Sequence, residues 1–282
     1  MTHTQKSIVA GVDGSPGSRA AARVAAELAD ALDSRLVLVH AVHDPPTFPY
    51  GDARVRELER GRALRDGERL LDSVAADFDA ETKVVLGDPA TCLDEAAYEH
   101  DAELLVVGAG GHTGLAAALA GSVSQRLASA SAYPVVIVPP DAGELFPEQP
   151  ESDGTIVCGF DGSEESRRAL RVARRLGDRL DLEVVPVFVD PARGWDDAHP
   201  VPLRVEVGDP VDELRYRASR DHVRLLAVGS RGRGPVRRAF LGSVSAELAA
   251  SAPRPVLVVP PTAVLTGDGD PLAYGGAAQL TS

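Results

Sequence analysis

The sequence predicts an α/β protein in which one domain, built on a parallel sheet with helices on both faces, occurs twice. Three observations lead there. Short, continuous apolar runs alternate with helical patterns, and continuous runs are what strands buried on both sides look like. A glycine-rich stretch follows one such run, Leu104–Ser124 (LLVVGAGGHTGLAAALAGSVS), and recurs as Leu225–Ser245 (LLAVGSRGRGPVRRAFLGSVS). The chain also repeats itself elsewhere. Ser7–Ser15 (SIVAGVDGS) matches Thr155–Ser163 (TIVCGFDGS) 148 residues on. Gly87-Asp88-Pro89 matches Gly208-Asp209-Pro210, and Tyr133–Pro139 matches Arg254–Pro260, each 121 residues on. The difference, 148 − 121, leaves 27 residues of the first copy without a counterpart, between Val42 and the strand before Gly208.

In the first copy, Ser7–Val12 reads as a strand ending at Asp13. Ser18 to about Leu32 reads as a helix with Ala21, Val24, Leu28 and Leu32 on one face and Ser18 as its cap. Leu36–Val42 is a second strand. Asp52–Phe78 is a charged helix with Leu64, Leu71, Val74 and Phe78 as its apolar stripe, weakened by Gly61 and Gly67. Thr82–Leu86 is a third strand, and Ala90 to His100 a helix entered through Pro89. Leu104–Val107, a helix from Val123, and Val135–Val138 complete the copy. The domains implied are 1–140 and a shortened 154–261. An acidic, proline-bearing linker, 141–153, lies between them, and a glycine-rich tail, 262–282, follows. At about 150 residues per domain, the length suits two. The missing residues take the helix between strands two and three from the second copy, yet Val184, Val185, Val187, Val205 and Val207 remain apolar there. Either that sheet is simply smaller, or something else covers it: the loop around Trp195, the tail with Leu265, Leu272 and Tyr274, or a second chain.

A strand that ends in a glycine loop before a helix is suited to phosphate. Glycine lets backbone N–H groups approach an anion, and the helix adds unpaired donors and the positive end of its dipole. Gly108, Gly111, Gly121 and Ser122 have the spacing G-x2-G-x9-G-S, and Gly229, Gly232, Gly242 and Ser243 repeat it. The second loop adds Arg231, Arg233, Arg237 and Arg238, where the first has Ala109, Gly110 and His112. Arginine suits a polyphosphate, although Arg237 and Arg238 equally suit a solvated helix face. Asp13 and Asp161 close the first strand of each copy, where ligands of open α/β sheets bind; a turn before Gly-Ser is their alternative role.

The net charge of −13 argues against broad binding to nucleic acid, which would repel the chain. Two cysteines, Cys92 and Cys158, are too few for a disulfide framework and fit a reducing compartment. No apolar run approaches the ~20 residues of a membrane span, and the N-terminus lacks a signal-peptide core. The expectation is a cytoplasmic protein that engages neither membrane nor nucleic acid.

An aspartate ending strand one, the doubled glycine loop and the valine-rich last strand together resemble the universal stress protein family, in tandem form. The resemblance implies strand order 3-2-1-4-5 and ATP, with or without Mg2+, between the strand-one loop and the glycine loop. Carried over, it assigns Asp13 to the adenosine end and the backbone of Ala41 and Val42 to adenine, with Gly14 and Ser15 also in the nucleotide site. Gly108, Gly111, Gly121, Ser122, Val123 and Ser124 then take ribose and phosphates. The second copy matches with Asp161, Gly162, Ser163, Val189, Gly229, Arg231, Gly232, Gly242, Ser243, Val244 and Ser245. The resemblance also implies pairing of the two copies through their last strands as an intramolecular pseudo-dimer, with a homodimer as a further option. Three functions stay open: a nucleotide-binding stress or signalling module, a slow ATPase or phosphotransferase, and a non-binding scaffold. No G-x4-G-K-[ST] loop, magnesium-binding carboxylate pair or base–nucleophile set stands out for the enzyme.

Overall fold

The computed structural model describes residues 5–44, 53–110, 121–140, 142, 144–146, 154–190, 204–232 and 241–264. The first half runs β1 (Ser7–Gly11), α1 (Pro16–Ala31), β2 (Arg35–Val42), α2 (Ala53–Ala75), β3 (Ala80–Leu86), α3 (Pro89–Glu99), β4 (Ala102–Gly108), α4 (Ser122–Ala130) and β5 (Val135–Val138). The second runs β6 (Thr155–Gly159), α5 (Glu164–Leu180), β7 (Glu183–Asp190), β8 (Arg204–Val207), α6 (Pro210–Ala218), β9 (Val223–Gly229), α7 (Ser243–Ser251) and β10 (Val256–Val259). One ten-stranded sheet holds them all, in the order β3-β2-β1-β4-β5-β10-β9-β6-β7-β8. Each half is parallel internally with the order 3-2-1-4-5. The halves meet where β5 and β10 run antiparallel, Val256 opposite Ile137 and Val258 opposite Val135.

Helices pack on both faces of the sheet, except at the β8 edge of the second half. α1, α2 and α5 pack on one through residues such as Leu28, Leu71 and Leu176. α3, α4, α6 and α7 pack on the other through Leu93, Leu127, Leu214 and Leu248. The apolar runs read as strands are fully buried in β5, β9 and β10. Among the described residues no helix is long and apolar enough to cross a membrane.

Capping sets the helix starts. α1 begins at Pro16, not Ser18: Ser15 is in extended backbone and its side chain accepts from Ser18 N–H at 3.2 Å, so Ser15 is the cap. Ser163 does the same for α5, and Asp88 and Asp209 cap α3 and α6 ahead of their prolines. In α2, Gly67 is buried. A Cβ there would lie 2.9 Å from both His40 Cδ2 and Val84 Cγ1, so glycine sets how closely the helix sits on β2 and β3. The sequence made Gly67 a weakness in the stripe; it is the contact point.

The described part of the linker is docked on the core. Leu145 is fully buried in the core beneath α1 and α5, and Glu27 of α1 accepts from the N–H groups of Leu145 (2.9 Å) and Phe146 (3.1 Å). Burial raises the Glu27 carboxyl above its ordinary range, partly offset by those two N–H groups. Arg179 of α5 reaches into the first half, donating to Leu32 O at 2.7 Å and pairing with Glu103. Thr262 Oγ1 donates to Ser131 O, and Val264 N–H to Ala132 O.

At the far edge of the second half, Val205 and Val207 are 46% and 59% exposed. They stand in register with Phe188 and Asp190, on the face that α2 covers in the first half. The candidate covers, residues 191–203 with Trp195 and the tail from Leu265 on, lie outside the described residues.

Candidate functional site

The order of each half reverses beside its first strand, and the cleft lies there, past the carboxyl ends of the strands. In the first half β1 lies between β2 and β4, which brings Asp13 opposite Gly108. The chain after Gly108 is fixed by Ala109 N–H to Val138 O at 2.9 Å and by Gly121 N–H to Ala109 O. α4 then starts with Gly121 as its N-cap, and no side chain caps it. Its first-turn N–H groups border the cleft with the positive end of the helix.

The first cleft has a volume of about 570 Å3. Asp13, Ala41, Val42, Gly108, Gly121, Ser122, Val123 and Ser124 line it, and all were singled out in the sequence. Gly111 and His112 lie outside the described residues. Gly14 and Ser15 do not line it. Gly14 makes the turn, at φ +82, and Ser15 caps α1. Asp13 shares in that turn, its Oδ1 accepting from Ser15 N–H at 3.0 Å, while also facing the cleft.

The two serines after Gly121 differ. Ser124 is buried and its hydroxyl donates to Gly121 O at 2.9 Å, so that proton is committed to the loop. Ser122 is exposed and keeps its hydroxyl on the open side. Gly108 also has a structural reason. A Cβ there would lie 2.8 Å from Gly17 C and 2.9 Å from Gly17 O, in the first turn of α1. Close helix–strand packing, rather than room for phosphate alone, requires that glycine.

Several lining residues had no flag in the sequence: Val12, His40, His43, Leu70, Pro89 and Leu93. Val12 precedes a flagged aspartate, and the histidines flank Ala41-Val42, so position alone could have found them. Leu70 comes from α2 and had no such signal. His40 Nδ1 lies 2.6 Å from Val12 O. A carbonyl only accepts, so Nδ1 carries the hydrogen. At the rim, the Thr91 N–H foremost, with Arg126 and the Thr91 hydroxyl, holds the Asp88 carboxyl below its ordinary range.

The second cleft repeats the plan at about 270 Å3. Asp161, Val189, Gly229, Arg231, Gly232, Gly242, Ser243, Val244 and Ser245 line it. Gly162 and Ser163 again form the turn and the cap, and Asp161 Oδ1 accepts from Ser163 N–H at 2.9 Å. Ser245 is also buried but donates to Gly229 O at 2.6 Å, a different acceptor from that of Ser124, and Gly242 N–H donates to Ser230 O at 2.8 Å, as Gly121 N–H does to Ala109 O. A Cβ on Gly229 would lie 2.7 Å from Glu165 C, and one on Gly232 would lie 2.6 Å from Asp161 Oδ2. Arg233, Arg237 and Arg238 lie outside the described residues.

Comparison with known proteins agrees with this architecture. The universal stress protein family profile matches residues 5–139 and 196–260. Universal stress protein Rv2005c of Mycobacterium tuberculosis is 31% identical over 292 aligned positions, covering 90% of this chain and 97% of that protein. Universal stress protein Rv2623 of the same species is 29% identical, over 89% of this chain and 95% of its own. Among solved structures, a universal stress protein from Archaeoglobus fulgidus superposes with a TM-score of 0.64 at 18% identity, covering 90% of this chain and 98% of that one, a likeness of fold. With the family's profile matched in both halves and a relative 31% identical over 90% of this sequence, the chain belongs to the universal stress protein family.

Proposed function

We propose that the chain is a stress-response protein that binds an adenine nucleotide, ATP, and acts through nucleotide-dependent conformation or association. The observation that carries this reading is the first cleft. An uncapped helix N-terminus with the open Ser122 hydroxyl adjoins an apolar slot formed by Val39, Leu70 and Leu93, with the strand edge Ala41-Val42 beside it. The anion end suits phosphates, and the apolar slot with strand backbone at its edge suits a flat base. The volume falls within the ~300–1,000 Å3 of ligand pockets. Magnesium, where present, would travel with the phosphates.

Denaturing the purified protein and assaying the supernatant for adenine nucleotide tests the reading, with calorimetry of ATP on stripped protein beside it. Nucleotide is expected in the supernatant. Ser122→Asp, which sets a carboxylate at the anion end from an exposed position, is expected to weaken ATP binding. A stripped protein that takes up no ATP overturns the reading and leaves the scaffold. Binding is expected without fast turnover: hydrolysis near the ~10 per second typical of enzymes would make the chain an ATPase instead.

A further inference from the structure

The two clefts share a strand-one loop, a glycine loop and a helix N-terminus, while the first is also walled by Leu70 of α2, which has no counterpart among the described residues of the second half; they differ in room, at about 570 Å3 in the first half and about 270 Å3 in the second. The backbone framework is shared. Val12 N–H donates to Val39 O at 2.9 Å and Phe160 N–H to Val187 O at 2.8 Å, so these residues leave the strand in the same way. Both line their clefts, and both are buried, at 3% and 4% exposure. The side chain at this position is an isopropyl group in one half and a benzyl group in the other. The loops differ in the same direction, with Arg231 where the first half has Gly110, next to which a Cβ would meet nothing within 4 Å. The first cleft falls inside the ~300–1,000 Å3 range of small-molecule sites and the second below it.

We infer that the halves are not equivalent: the first cleft takes the whole nucleotide, and Phe160 excludes it from the second. The protein therefore binds one ATP per chain. This rests on the nucleotide reading above, and it makes Phe160 and Val12 the residues that set which half is occupied. Phe160 lines the second cleft from the edge of the core that packs with α5, and a benzyl group at that position leaves a ligand less room than an isopropyl group, because interiors are close-packed and have little slack to absorb it. The effect is on occupancy, with the loop and the helix N-terminus unchanged.

The test is the stoichiometry of ATP binding by calorimetry on nucleotide-stripped full-length protein. Wild type is compared with Phe160→Val, Phe160→Tyr and Val12→Phe. The wild type is expected to take one equivalent, Phe160→Val two, and Phe160→Tyr one, since tyrosine keeps the ring. Val12→Phe is expected to lose at least about tenfold in affinity, or about 1.4 kcal/mol. Circular dichroism checks that each variant is folded. If Val12→Phe does not fold, Phe160→Val decides alone, because gaining a site cannot come from damage. Two similar equivalents in the wild type, or one only in Phe160→Val, overturn this inference and leave the nucleotide reading standing. No uptake by any of the proteins overturns both.

Discussion

Replacing Gly108 by alanine separates a packing role from a ligand role at a residue where both have a claim. The new Cβ would lie 2.8 Å from Gly17 C, 2.9 Å from Gly17 O and 3.2 Å from Ser18 N. Ordinary carbon–carbon contact begins at about 3.5 Å, so the approach is short by roughly 0.7 Å. Neither side can yield cheaply. β4 is hydrogen-bonded between β1 and β5, and the first turn of α1 is held by the Ser15 cap and by Ser18 Oγ donating to Ser15 O. Overpacking of this kind costs about 1–3 kcal/mol, and contact with backbone on both sides points to the upper part of that range. Gly229→Ala, 2.7 Å from Glu165 C, should cost a similar amount. Gly110→Ala is the control, since its Cβ would meet nothing within 4 Å, and should stay within about 0.5 kcal/mol of wild type. Urea unfolding by circular dichroism, without nucleotide, gives the numbers, and the melting temperature should fall by about 2–4 °C for each kcal/mol. If Gly108→Ala unfolds like Gly110→Ala and differs only in binding ATP, the packing argument is refuted.

Other outcomes follow from the same geometry. Leu145→Ala, at a fully buried side chain inside the linker, should lower stability by about 2–5 kcal/mol in equilibrium unfolding; a change under 0.5 would mean the linker is not docked. Arg179→Ala removes the partner of Glu103, leaving that largely buried carboxylate with Ser34 Oγ alone among the contacts described, and should cost about 1–3 kcal/mol. Glu27 has a raised carboxyl in the folded state, so its contribution is fully present below the unfolded value of 4.5 and is lost as pH rises through the folded one. Stability measured from pH 4 to 7 should therefore fall in the wild type relative to Glu27→Gln, which can still accept the Leu145 and Phe146 N–H groups. Hydrogen bonding from Arg60 foremost lowers the Asp44 carboxyl to about 2. Carbon-detected NMR titration should find it there, and Arg60→Ala should return it toward ordinary values.

The alternation of apolar runs and amphipathic helices was legible because each strand buries both faces and each helix one stripe. Pro89 announced α3 as a favourable first-turn residue, while the Asp88 cap ahead of it came only with the structure. What the sequence concealed depends on approach in space. Gly67 reads as a poor helix residue until β2 and β3 are seen beneath it. The sequence pointed to Ser18 as the cap of α1, and the extended backbone at Ser15 gives that role to Ser15 instead. The loop spacing found Gly108 and Gly121, but the reason for Gly108 lies in α1, far from the motif. Leu70 enters the first cleft from a helix that the motif never touches. Leu145 looked like part of an acidic spacer because one buried leucine leaves no periodicity to detect.

The seam between β5 and β10 is a short run of valines, leucine and isoleucine. Between separate chains, a contact of that size would form and dissolve with protein concentration. Here both sides belong to one polypeptide, and a tether docked at Leu145 holds them together, so the local concentration of each strand near the other is set by the chain, in the millimolar range typical of short linkers. Dilution should therefore leave the ten-stranded sheet intact. The antiparallel join also turns the carboxyl ends of the two halves in opposite directions. The clefts thus open at opposite ends of the sheet, and communication between them would run through the seam and the contacts beside it, such as Arg179 with Leu32 and Glu103.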